Sequence, residues 1–134
     1  MSNLVNMIKE HEGLRLKPYK DSRGILTIGY GRNLEGKGIS ELEANYLLLN
    51  DIEEVTLSLT RIIPNWKSLS KNRKVALIDM TYNIGIGTFK GFYKMLKALS
   101  EERYEDASNE MLNSRWSEQV GERANELSLL MRKG

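Results

Sequence analysis

The chain has 134 residues, a length that fits one domain and lets roughly two thirds of the unfolded surface be buried on folding. Hydrophobic residues make up 40% and charged residues 28%, which excludes a disordered polar chain and predicts a folded globular protein. The 20 Lys and Arg against 18 Asp and Glu leave a formal charge of +2, without the basic footprint of a nucleic-acid binder, and the lack of cysteine excludes disulfides, thiolate metal sites and a cysteine nucleophile.

The first residues, MSNLVNMIKEHEG, contain no long apolar run and no small-residue cleavage site. No window approaches the ~20 apolar residues of a membrane span, so the chain is expected to be made and held in the cytoplasm without stable membrane insertion. Ser2 can cap a short helix in which Leu4, Val5 and Ile8 recur at helical spacing, and Gly13 stops it, with Glu12 at the exit. The period then changes. LRLKPY alternates, DSRG turns with Gly24 available for positive φ, and ILTIGYG returns, which predicts an antiparallel hairpin with Ile25, Thr27 and Gly29 on one side.

RNLEGKG reads as a loop, and Ser40 with Glu43 forms the S-x-x-E capping box of a long helix that Pro64 ends. Ser70 starts a helix through VALIDMTYN, GIGT breaks it, and FKGFYKMLKAL begins the next. Ser100 is expected to cap EERYEDASNEML, and SRWSEQV and ERANELSLLMRK give two further helices. Trp66, Trp116 and the apolar members of GFYKML are core candidates. The fold class is α+β, mainly helical, with a hairpin-bearing lobe, a helical lobe and a first helix that packs with the later ones.

His11 is the only histidine. A Ser-His-Asp triad would have to centre on it, no G-x-S-x-G surrounds any serine, and one histidine cannot make an H-E-x-x-H zinc site. GYGRNLEG lacks the G-K-[ST] of a phosphate loop. What remains is acid–base chemistry by carboxylates, with no cofactor and no metal. Glu12 at a helix end and Asp21 at a hairpin turn are such a pair; each taken alone is an ordinary surface acid or turn former, and Thr27 an ordinary strand residue.

The ordered pattern Glu12, Asp21 and Thr27 within EHEGLRLKPYKDSRGILTIGYG resembles the catalytic signature of the T4-type phage lysozymes, the endolysin muramidases. GISELEANYLLLNDI, GTFKGFYKML and SRWSEQVGERANE resemble the start of that family's interlobe helix, its cleft-flanking helix and its C-terminal segment. The resemblance implies a single lysozyme-like domain over residues 1–134, with a small hairpin lobe of about 13–50, a helical lobe of about 1–12 plus 51–134, and the cleft between them. It implies hydrolysis of the β-1,4 bond between N-acetylmuramic acid and N-acetylglucosamine in peptidoglycan, with inversion. Glu12 would be the general acid and Asp21 with Thr27 would hold the attacking water, the two carboxyls standing roughly 6.5–9.5 Å apart.

The same resemblance places Gly31, Asn33, Tyr82, Met95 and Glu110 at substrate-contacting positions and makes Arg123 a partner of Glu12. Arg32 stands where the family commonly has histidine, and it would pair with Asp51. A monomer is expected, dependent on a holin for passage from the host cytoplasm to the wall, with peptidoglycan and not nucleic acid as its partner. Two alternatives stay open: a lytic transglycosylase, in which Asp21 and Thr27 would have no task, and an inactive wall-binding protein that keeps the fold.

Overall fold

The structure, a computed structural model, describes residues 2–134. Two compact units divide the chain, residues 1–47 and 48–134. Helix α1, Ser2–Glu12, lies in the first. It is followed by strands β1, Arg15–Lys20, β2, Leu26–Gly29, and β3, Arg32–Asn33, in one antiparallel sheet of order β1-β2-β3. Tyr19 and Lys20 pair with Thr27 and Leu26, and the register shifts between Arg15 and Tyr19, a bulge beside the sheet edge.

The predicted loop RNLEGKG therefore contains a third strand. Its two residues pair Ile28 with Arg32 and Thr27 with Asn33, too few for an alternating pattern to show in the sequence. Thr27 sits in the central strand and is the one buried residue among those described in this unit, 4% exposed. Polar contacts and turn chemistry shape this unit more than an apolar core does.

Helix α2, Glu41–Ile62, has 22 residues, about 33 Å at 1.5 Å per residue, and stops just before Pro64. Its capping box forms in both directions. The Glu43 amide donates to Ser40 Oγ at 3.1 Å and the Ser40 amide to Glu43 Oε1 at 2.9 Å. The same carboxylate receives the Arg32 guanidinium as a fork, Nη1 to Oε1 at 2.9 Å and Nη2 to Oε2 at 2.8 Å.

The second unit is helical and holds the apolar core. A single 3-10 turn, Trp66–Ser68, leads to α3, Lys71–Ile84, capped by Ser70, whose hydroxyl accepts from the Arg73 amide. Gly85 at φ +84 ends α3 where GIGT was expected to break it, and Ile86–Phe89 then forms a one-turn helix, α4. The next helix, α5, runs over Tyr93–Ser100 and starts later than the sequence pattern implied, because Lys90–Phe92 is the real interruption. Helices α6, Tyr104–Leu112, α7, Arg115–Val120, and α8, Glu122–Lys133, complete the unit.

Ser100 does not cap α6. Its hydroxyl donates back to the Lys97 carbonyl at 2.7 Å, Glu102 takes the left-handed conformation at φ +58, and Arg103 stands at the cap position of α6. Leu59, Ile63, Leu77, Met80, Phe89, Leu99, Met111 and Met131 are fully buried, and Trp66 and Trp116 join them as expected. Trp116 also satisfies its one polar atom, Nε1 donating to Asn83 Oδ1 at 2.8 Å. Among the described residues no helix is long and apolar enough to cross a membrane.

Two outcomes follow. Trp116→Phe removes the buried five-membered ring of the indole and leaves Asn83 Oδ1 without its donor, so urea unfolding at unchanged m is expected to show a loss of about 2 kcal/mol. Glu43 is held at about 2, below its ordinary 4.5, first by the hydrogen bond from Arg32 and then by the amide and hydroxyl of Ser40. Its contribution to stability is complete above about 4.5 and is lost as pH falls toward about 2. The gap in melting temperature between the wild type and Glu43→Gln, followed by circular dichroism from about pH 7 down to about pH 2, should narrow through that window.

Candidate active site

Glu12 is the last residue of α1, exposed, where the Gly13 amide closes the helix on the Lys9 carbonyl at 2.9 Å. Its carboxyl lies against Gly31 in the turn between β2 and β3. A Cβ at Gly31 would fall on Glu12 Oε2 and within 3.0 Å of its Cδ, and Gly31 also holds φ +76. Glycine is required there on both counts. Next to it, the Lys9 ammonium stands 5.4 Å from the centre of the Tyr30 ring, a second contact between α1 and this turn.

Asp21 opens the β1–β2 turn. Its Oδ1 accepts from the Arg23 amide at 2.8 Å and the Ile25 amide at 2.9 Å, the local bonding that makes aspartate a turn former. Those bonds also keep it charged. The Ile25 amide is the main cause of a carboxyl held below its usual range; partial desolvation opposes it, and the Arg23 amide and guanidinium add to the lowering. Thr27 Oγ1 donates to the Ile25 carbonyl at 2.8 Å. Asp21 and Thr27 are thus both tied to the backbone of one residue, Ile25.

Asn33 folds its own loop. Its Oδ1 accepts from the Gly36 amide at 2.8 Å and its carbonyl from Lys37 and Gly38 at 3.1 and 3.2 Å. The acid that fills the Arg32 fork is Glu43, where the sequence pointed to Asp51, and Arg32 Nη1 also donates to the Gly38 carbonyl at 3.1 Å. Arg32 is held above its ordinary value, chiefly by the Glu43 hydrogen bond.

In the second unit, Tyr82 is 43% exposed and borders two cavities. One, about 410 Å³, is lined by Asp51, Glu54 and Ser58; the other, about 430 Å³, by Leu48, Ile52 and Arg123. Arg123 Nε donates to Asp79 Oδ1 at 2.7 Å. Glu110 borders a cavity of about 300 Å³ with Tyr93, Lys94 and Asn113. Met95, expected at a substrate wall, lines that same cavity from the floor, 0% exposed and continuous with the core.

Sequence reasoning missed Glu43 and Asp79 as partners of Arg32 and Arg123. Glu43 left a signal, because an acid at the third helical position is within reach of a strand that returns to the helix start; Asp79 left none, being 44 positions from Arg123. Among the described residues no group of three or more His, Asp or Glu side chains is placed to hold a metal ion.

The family described as phage lysozyme matches residues 9–133. A probable T4-type lysozyme of Dictyostelium discoideum is 28% identical across all of this chain and 96% of its own length. An endolysin of Salmonella phage P22 is 34% identical over 83% of this chain and 80% of its own. An endolysin of Acyrthosiphon pisum secondary endosymbiont phage 1 is 37% identical over 83% of this chain and 75% of its own. The chain belongs to the phage lysozyme family and is a glycoside hydrolase of lysozyme type.

Proposed function

We propose that this chain is an endolysin muramidase that cleaves the β-1,4 bond between N-acetylmuramic acid and N-acetylglucosamine by a single inverting displacement. The observation that carries the reading is the shared anchor of Asp21 and Thr27 on Ile25. Asp21 uses Oδ1 on two amides, which leaves Oδ2 to accept. Thr27 spends its proton on the Ile25 carbonyl, which leaves its oxygen to accept as well. A water that donates one hydrogen to each keeps a lone pair for the anomeric carbon.

In that reaction Glu12, as the neutral acid, gives its proton to the glycosidic oxygen as the bond from the anomeric carbon breaks. Water attacks from the opposite face, and Asp21, kept ionised by its amides, takes the proton the water loses. The released end is a reducing sugar. Substrate contacts fall to Gly31, Asn33, Tyr82 and Glu110, with Met95 at the floor of the cavity that Glu110 borders. Arg32, paired with Glu43, supports the site electrostatically. The protein acts as a monomer, resides in the host cytoplasm before lysis, and reaches the wall once a holin opens the membrane.

Mass spectrometry of peptidoglycan digested by the wild type should show reducing muramic acid ends. Glu12→Gln and Asp21→Asn should each lower their release by at least about 100-fold. Predominantly anhydro ends would assign a transglycosylase instead. Sedimentation of an inert wild type with cell walls would assign a binding protein. The pH profile adds a check: because Asp21 is held low, it loses its charge only below the ordinary aspartate value of 3.8, so an acid limb of kcat set by Asp21 should lie below that value.

A further inference from the structure

The turn that touches the catalytic acid is intrinsically loose. Three residues, Gly29, Tyr30 and Gly31, join the last β2–β3 pair, Ile28 with Arg32, and both glycines have positive φ, 71° and 76°. Glycine gives such a turn its shape but not its rigidity, since the residue has more backbone freedom than any other. Yet Gly31 must hold its position closely, because its missing Cβ is the space that the Glu12 carboxyl occupies.

What limits the turn is the residue that follows it. Arg32 is gripped at three acceptors, the two Glu43 oxygens and the Gly38 carbonyl, at 2.9, 2.8 and 3.1 Å. The Glu43 carboxylate cannot swing with it, because the Ser40 backbone amide also donates to it at the start of α2. The turn is therefore tied to α2 through Arg32 and meets α1 through Gly31 and Tyr30.

We infer that Arg32 and Glu43 are positioning residues for the reaction: their fork fixes the β2–β3 turn so that Gly31 leaves Glu12 one productive place for its carboxyl. Neither side chain touches substrate in this account, which rests on the muramidase reading above. The planar guanidinium is essential to it. A lysine offers one point charge and cannot engage both carboxylate oxygens in plane. Displacement of an acid by about 1 Å can cost on the order of 100-fold in rate, so partial loosening of the turn is expected to cost about tenfold.

The test compares two variants that cut the same network at different points. Arg32→Gln removes the fork and leaves the Ser40–Glu43 capping box; Ser40→Ala removes the capping hydroxyl and leaves the fork. With soluble peptidoglycan fragments, Arg32→Gln should lower kcat about tenfold with KM within about twofold, and Arg32→Lys should fall between it and the wild type. Ser40→Ala should lower the melting temperature and keep the wild-type kcat. Independently of activity, the Glu12 Cδ resonance in a carbon-13 NMR spectrum should move in Arg32→Gln and stay in Ser40→Ala. Wild-type kcat and an unmoved Glu12 resonance in Arg32→Gln would overturn the inference, as would an equal loss of kcat in Ser40→Ala. If the wild type releases no reducing ends the muramidase reading fails, and the Glu12 resonance alone then decides whether the fork positions that carboxyl.

Discussion

One carboxylate organises the small unit. Glu43 accepts the Arg32 fork on both oxygens and the Ser40 amide on one of them, so strand β3 and the start of α2 share a single anchor. Each attachment restrains the others: the capping box restricts the glutamate rotamer, and the fixed carboxylate restricts the guanidinium. Exposed ion pairs contribute little when both side chains must be ordered for one contact. Here the glutamate is already ordered by the helix it caps, so much of that entropic cost is met before the arginine arrives.

The two units are stabilised by different physics. Residues 48–134 surround a cluster of Leu, Met, Phe and Trp side chains that are almost wholly out of water. In residues 2–47 the one buried side chain is a threonine. Hydrogen-bonded turns, a short sheet and the Glu43 anchor set its shape. Segments with few buried apolar contacts open at lower free energy than a packed core, and the proposed catalytic carboxyls are both in that segment. Placing them there makes local fixing devices necessary. The Asp21 amides, the Thr27–Ile25 bond and the Arg32 fork are such devices.

What could be read from the sequence follows from the range of the forces involved. The capping box at Ser40, the helix start at Ser70, the hairpin turn at DSRG and the stop at Pro64 are set by neighbours within a few positions, and all appear in the structure. Trp66 and Trp116 were legible as core because large apolar area is seldom left in water. Strand β3 was not legible, since its pairing with β2 involves only two residues. Ser100 misled because a serine hydroxyl can bond backward to a carbonyl as readily as forward to an amide, and here Lys97 receives it. The partner of Arg123 depends on tertiary placement 44 positions away, and residue type at a single position carries no record of that.

Asp21 shows why the ordinary and the catalytic readings of a residue need not compete. The two amides that make it a turn former are the same groups that hold its carboxyl in the charged state. The strand that follows the turn carries Thr27 back to the carbonyl of Ile25, whose amide is already on Asp21. A turn residue that merely capped its own backbone would have no use for a buried hydroxyl on the same anchor. A water-holding pair has, because each member must keep an acceptor free and neither can be allowed to rotate away. In the proposed mechanism, the local rule that made Asp21 look unremarkable is thus the means by which an exposed hairpin can keep a base and an acceptor in fixed register.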